Sequence, residues 1–206
     1  MKLVIQNILF DMGNVLLRFE RQVFLDRLNV TEEEKRMLLQ EVFLSEEWVL
    51  MDAGILREET AEPIMCSRLP QHLHGAVHQL ASCWDQPIIP VDGMYELVRE
   101  LKEAGYGIYL LSNASVRQHA YWPRVPGSAF FDGTLISADE KVMKPQPEIY
   151  HLCMERFGLR PETCIFIDDV QINIDGAAAC GIAGVVFNGD AAALRSSLKD
   201  AGIKIR

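Results

Sequence analysis

Four short apolar runs, each closed by a polar or Gly-rich turn, set the strongest constraint on what this chain can fold into: Leu3–Phe10, Gly107–Leu111, Thr163–Ile167 and Ile182–Phe187. Continuous apolarity over such lengths suits strands covered on both faces, as in a parallel sheet. Helical patterns lie between them. One runs over Asp92–Ala104, with Asp92 as N-cap and Gly105 just past the end; the others are Pro147–Phe157, closed by Gly158, and Gln171–Cys180, closed by Gly181. The alternation predicts an α/β fold built on a parallel sheet.

The stretch from Glu20 to Gln86 breaks that rhythm, with several helical patterns and no convincing strand. Thr31-Glu32-Glu33-Glu34 is a capping-box start, and Leu39, Val42, Phe43, Trp48, Leu56 and Ile64 follow at helical spacing. The expected organisation is a core of residues 1–19 and 87–206 carrying a helical insert, 20–86, after the first strand. A length of 206 residues suits such a core with a smaller insert and leaves little room for two full domains.

Charge narrows the partners. With 20 Lys+Arg against 29 Asp+Glu the net charge is −9, which removes the cationic footprint that nucleic acid requires. The five cysteines, Cys66, Cys83, Cys153, Cys164 and Cys180, contain no C-x-x-C pair and suggest neither a disulfide framework nor a zinc site. His72, His74, His78, His119 and His151 form no metal-ligand pattern. Asp11 interrupts the first apolar run before a signal core or a span of ~20 residues could form, so the expectation is a cytoplasmic chain with no membrane partner.

The chemistry sits where polar residues fall against the strands. Asp11 directly follows Ile8-Leu9-Phe10, Ser112-Asn113 follow Tyr109-Leu110-Leu111, and Asp168-Asp169 follow Ile165-Phe166-Ile167. Open parallel sheets bind ligands beyond the carboxyl ends of their strands. Converging carboxylates repel one another unless a cation sits among them, and hard oxygen ligands beside a substrate phosphate favour Mg²⁺. A carboxylate that reaches the phosphoryl group can then act as nucleophile, forming an aspartyl-phosphate that water hydrolyses. Lys144, the Ser112 hydroxyl and backbone N–H groups after Asp11 and Ser112 are suited to the counter-charge. Lys141 competes with Lys144, but Pro145 restricts the backbone at Lys144 and favours it.

These residues resemble the haloacid dehalogenase superfamily of hydrolases. Phe10-Asp11-Met12-Gly13-Asn14-Val15 resembles its first motif, Leu111-Ser112-Asn113 its second, Lys144-Pro145 its third and Phe166-Ile167-Asp168-Asp169 its fourth, in the family's order and across essentially the whole chain. The resemblance implies a Rossmann-like core with a helical cap at 20–86. It makes Asp11 the nucleophile and a Mg²⁺ ligand, the Gly13 carbonyl a second ligand, and Asp168 or Asp169 the remainder. Which acid touches the metal directly stays open, with Asp169 preferred. Ser112, Asn113 and Lys144 would hold the phosphoryl group of a small soluble substrate.

One departure matters. Most phosphatases of the family carry a second Asp two residues after the nucleophile, as general acid and base; here that position is Gly13. Such assistance is worth roughly 10²–10⁴-fold, so its loss points to phosphates with a good leaving group. Asp11-Met12-Gly13-Asn14-Val15, Tyr121-Trp122-Pro123 and the stretch around Trp48, Gly54 and Glu58 are similar to a bacterial subgroup that includes an α-glucose-1-phosphate phosphatase, which implies a sugar phosphate. Asp52 or Glu58 of the insert is an available substitute for the missing acid. Trp48 and Trp122 read as packing residues, Trp122 with a secondary claim to border the cleft. The alternatives are a metal-free 2-haloacid dehalogenase and a non-catalytic binding or regulatory protein of the same fold.

Overall fold

The computed structural model describes residues 4–205. Its strands are β1 (Asn7–Phe10), β2 (Gly107–Ser112), β3 (Gly133–Ile136), β4 (Cys164–Asp168) and β5 (Ala183–Val186). They form one parallel sheet in the order β3-β2-β1-β4-β5, so the first strand in the sequence is central in space. This is the expected Rossmann-like α/β core. Leu3 of the first apolar run lies outside the described residues.

Alternation along the strands feeds two apolar layers. Ile8, Phe10, Ile108, Leu110, Ile165 and Ile167 point to one, against helices Met94–Glu103 and Ala191–Asp200. Leu9, Leu111 and Phe166 point to the other, against Pro147–Phe157 and Gln171–Ala179. Burial on both faces is why these strands read as unbroken apolar runs rather than alternating ones.

Three local expectations are corrected. β3 was not anticipated: it is four residues long at the sheet edge, with the polar Thr134 in its middle. Asp92 is not the N-cap of the following helix, which starts at Met94 after Gly93 at φ 79°, a left-handed conformation that glycine adopts without cost; Asp92 instead accepts a hydrogen bond from Arg18 at 3.2 Å. β5 is not covered on both faces, since Ala183, Gly184 and Val186 of this edge strand are exposed.

Between β1 and the helix Met94–Glu103 that precedes β2, the chain runs through five α-helices, Arg21–Leu25, Glu32–Leu38, Glu46–Asp52, Glu58–Ser67 and His74–Ser82, with a π-helical turn at Leu39–Phe43. The anticipated capping box is present: the Thr31 side chain accepts from the Glu34 N–H, and Glu34 accepts from the Thr31 N–H at 2.7 Å. His72 and His78 are engaged with Glu34 and Glu62 of neighbouring helices. The two strands of chain that lead into and out of this insert pair at its base, Arg18 N–H donating to the Ile89 carbonyl at 2.7 Å and Val91 N–H to that of Leu16 at 3.0 Å. All five cysteines are free thiols. Among the described residues no helix is long and apolar enough to cross a membrane.

Candidate active site

Everything chemically distinctive gathers at the carboxyl ends of β1, β2 and β4. Asp11 leaves β1 with its N–H donating to the Ile167 carbonyl at 2.8 Å, which fixes it between the two flanking strands. Asp168 closes β4 and Ser112 closes β2; Asp11, Ser112 and Asp168 are all buried. Lys144 arrives from the loop before Pro147–Phe157, and its Nζ lies 2.8 Å from Asp11 Oδ1 and 2.7 Å from Asp168 Oδ2, with 4% of the residue exposed. Lys141, at φ 57°, is not part of the cluster. A buried lysine shared by two carboxylates is stable only because the charges compensate. Burial pulls the Lys144 ammonium down, but Asp11 and Asp168 outweigh that pull and keep it charged.

The acidic pair divides into two environments. Asp168 is fully enclosed and saturated: besides Lys144 it accepts from the Val170 N–H at 2.8 Å and from Asn173 Nδ2 at 3.1 Å. Asn173 is itself held, its carbonyl accepting from the Tyr150 hydroxyl at 2.7 Å. Asp169 is less enclosed and accepts from Asn14 Nδ2 at 3.1 Å. Asn14 sits at φ 54° directly after Gly13, and its Oδ1 accepts from the Phe19 N–H at 2.9 Å, so the loop after β1 is tied to the loop after β4. Oxygen atoms of Asp11, Asp168 and Asp169 all lie within 4.8 Å of one another. Burial raises Asp11 and Asp169 above the ordinary carboxylate range, with the nearby Asp168 adding to the rise, despite Lys144. Three hard oxygen donors carrying more negative charge than one lysine offsets make a donor set that fits Mg²⁺.

Asn113 contributes by holding Lys144. Its Oδ1 accepts from the Lys144 N–H at 2.8 Å and its Nδ2 donates to the Lys144 carbonyl at 2.9 Å, so its side-chain amide is committed to that backbone. Gly13 needs no side-chain-free path: a Cβ there would meet only Phe19 Cβ, at 3.8 Å. A close contact at Cβ therefore does not account for glycine at this position.

Above Asp11 lies a cavity of about 100 Å³, roofed by the helical insert. Asp11, Met12, Gly13, Ser112 and Asn113 make its floor, and Phe19, Trp48, Met51, Asp52, Trp84 and Tyr121 its walls. The aromatic walls interlock, with Phe19 and Trp84 ring centroids 4.9 Å apart, Phe43 and Trp48 5.0 Å, and Trp84 and Tyr121 5.1 Å. Trp122 packs edge-on against Phe131 at 5.0 Å and does not line the cavity; its neighbour Tyr121 does.

Polar contacts clamp insert to core around this cavity. Ser137, buried just past β3, accepts from the Ala114 N–H at 2.9 Å and donates to the Asp52 carbonyl at 2.5 Å. The Ser115 hydroxyl donates to Glu58 Oε1 at 2.6 Å. Asp85, fully buried, receives both Arg117 and Arg124. Gly54, at φ 69°, lets the insert approach so closely that a Cβ would fall 2.0 Å from the Ala138 carbonyl oxygen. Phe19, Trp84, Tyr121, Ser137 and Asp85 were not anticipated as site residues. For Ser137 a signal existed, since a serine directly after Leu135-Ile136 repeats the pattern of Ser112 after Leu110-Leu111.

Residues 5–181 match the family model of haloacid dehalogenase-like hydrolases. Among curated relatives, flavin mononucleotide hydrolase 1 of Arabidopsis thaliana is 28% identical over 77% of this chain, a match that spans 63% of that protein. A sesquiterpene phosphatase of Aspergillus oryzae is 26% identical over 86% of this chain and 87% of its own length. Among solved structures, a HAD family enzyme of Bacteroides thetaiotaomicron in complex with magnesium and inorganic phosphate shares the fold, with a TM-score of 0.71, 23% identity, and coverage of 92% of this chain and 98% of that one.

Proposed function

The chain belongs to the haloacid dehalogenase-like hydrolases, and within them we propose that it is a Mg²⁺-dependent phosphomonoesterase that works through an aspartyl-phosphate on Asp11. The observation that carries the reading is Asp11 at the floor of a cavity beneath the insert, in contact with Lys144 and within 4.8 Å of the Asp168-Asp169 pair. Support also comes from relatives that hydrolyse phosphate esters by name, and from the fold neighbour solved with magnesium and inorganic phosphate.

In this reading residues 20–86 act as a cap over a core of 1–19 and 87–206, and the cap excludes bulk water from the reacting groups. Asp11, Asp169 and the Gly13 carbonyl would hold Mg²⁺, with Asp168 behind them fixing Lys144. When bound, the ion supplies positive charge that offsets the phosphoryl oxygens and the carboxylates around them. Asp11 attacks phosphorus in line with the departing oxygen. Lys144 orients the Asp11 carboxylate and, with the Ser112 hydroxyl and the backbone at Asn113, takes up the charge of the transferring group. Asn113 keeps the Lys144 backbone in register.

The substrate is a small, soluble phosphomonoester, with a sugar phosphate as the class expected from the sequence. Walls of Trp48, Trp84 and Tyr121 suit the carbon face of a sugar ring or an aryl group. Nucleic acid and membrane have no part in this reading, and the cytoplasm is its setting. Phosphate release from a panel of sugar, acyl and aryl phosphates, with Mg²⁺ and with EDTA, tests it in wild type and Asp11→Asn. Turnover that requires both Mg²⁺ and Asp11 is expected. Halide release from 2-haloacids that persists in EDTA, without phosphatase activity, would transfer the assignment to a dehalogenase.

A further inference from the structure

We propose that Asp52, delivered by the insert, is the proton donor to the leaving group, the part that a carboxylate two residues after Asp11 would otherwise play. The inference rests on the phosphomonoesterase reading and adds a catalytic residue to it. Gly13 offers no side chain, yet the cavity holds one further carboxyl besides that of Asp11, and it is Asp52. The helix Glu46–Asp52 ends at this residue, so the carboxyl is carried at the rim nearest the core. Its backbone is anchored there, because the Asp52 carbonyl accepts from Ser137 and the following turn through Gly54 lies hard against Ala138.

Glu58, the other carboxylate of the insert near this edge, is excluded by its contacts. It is buried, engaged by the Ser115 hydroxyl at 2.6 Å, and is not part of the cavity wall. Tyr121 does line the cavity, but burial pushes its hydroxyl well above the ordinary phenol range, which makes it a poor donor at neutral pH. Burial of Asp52 pushes its carboxyl up to about 8, with Glu58 and Asp11 adding to the rise, so that it holds a proton at neutral pH.

The proton balance closes over the two half-reactions. As Asp11 forms its bond to phosphorus and the bond to the ester oxygen breaks, the Asp52 proton passes to that oxygen and the alcohol departs. The Asp52 carboxylate then takes a proton from water as the water oxygen attacks phosphorus. The Asp11–phosphorus bond breaks, phosphate leaves and Asp52 is protonated again.

Leaving-group dependence separates this role from a structural one. A nitrophenolate departs without a proton, whereas an alkoxide needs one, so kcat/KM should be compared on nitrophenyl phosphate and on a primary alkyl phosphate. For Asp52→Asn the expected loss is roughly 10²–10⁴-fold on the alkyl ester and less than about tenfold on the aryl ester. A stoichiometric burst of nitrophenol should follow from slowed hydrolysis of the aspartyl-phosphate. The ratio between the two substrates does not depend on how much of the variant folds, and Asp52→Glu, which keeps an acid, should keep the wild-type ratio, as should Tyr121→Phe. An unchanged ratio in Asp52→Asn, beside an active wild type, overturns the role of Asp52 alone. A wild type inactive on both esters, with every phosphate of the wider panel also untouched, overturns the phosphatase reading and Asp52 with it.

Discussion

The two halves of the site are built in different ways. The core half is assembled from strand ends: Asp11, Ser112 and Asp168 stand at the ends of neighbouring strands of one sheet, and Lys144 is held between Asp11 and Asp168 by ion pairs, with its backbone fixed by Asn113. The insert half is assembled from helix ends and aromatic packing, with Trp48 and Asp52 on one helix, Trp84 at the insert's exit and Tyr121 reaching across from the core. A sheet edge fixes groups to within the tolerance that bond-making requires. A helical roof clamped by a few polar contacts is suited instead to admitting a substrate and closing over it. In the proposed reaction, phosphoryl transfer falls to the core, and leaving-group handling and specificity fall to the insert.

The largest test of that division is Asp11→Asn, which should abolish turnover on every ester alike. Lys144→Met should do the same and also leave Asp11 and Asp168 facing each other with no cation. Removing one member of such a buried charge cluster costs about 3–5 kcal/mol, read by thermal unfolding, and added Mg²⁺ should return part of it. Equal stability of Lys144→Met and wild type without metal would break the claim that this lysine holds the core half together.

Asp85→Ala sharpens the comparison from the insert side. It strips Arg117 and Arg124 of their shared buried partner and should cost about 3 kcal/mol, toward the low end for a buried pair because Arg124 is half-exposed. Gly54→Ala should cost at least a similar amount in stability, because a left-handed backbone penalty of about 1–2 kcal/mol adds to the overlap of its Cβ with the Ala138 backbone, and it should reach function as well. Its Cβ would push the insert off Ala138, so KM should rise more than kcat falls. A Gly54→Ala variant with wild-type kinetics would show that closure does not depend on that approach.

The smallest effect belongs to the far end of the insert. Thr31→Ala removes a capping box and should cost about 1 kcal/mol without changing kcat. Hydrogen bonding from His72, and then from Thr31, holds the Glu34 carboxyl down at about 2. A depressed carboxylate contributes stability that is present above its ordinary value of 4.5 and is lost as pH falls through about 2. The insert should therefore loosen in that acidic window, and Glu34→Gln should flatten that part of the stability profile.

The contrast also explains what the sequence disclosed. Strand-end chemistry is local: Asp11 after Ile8-Leu9-Phe10, or Asp168 after Ile165-Phe166-Ile167, places a functional group next to the apolar run that positions it. The cavity walls are not local. Phe19, Trp48, Trp84 and Tyr121 meet only because the insert folds back on the core, and no spacing within one segment announces that meeting. β3 escaped notice because four residues with a threonine at the centre resemble a loop, and with it went Ser137. Asn113 was legible as a site position but not as the residue that spends its amide on Lys144, because Lys144 comes 31 residues later.

The central claim is a covalent phosphoryl group on Asp11, and its most direct measurement is chemical trapping. Wild-type protein turning over a ³²P-labelled ester with Mg²⁺ should be acid-quenched, reduced with borohydride in a parallel sample, and mapped by peptide. The account predicts alkali-labile label on the peptide containing Asp11, replaced on reduction by homoserine at that position, and neither signal in Asp11→Asn. Steady phosphate release in which no aspartate acquires label or is reduced, or label on a residue other than Asp11, would contradict it.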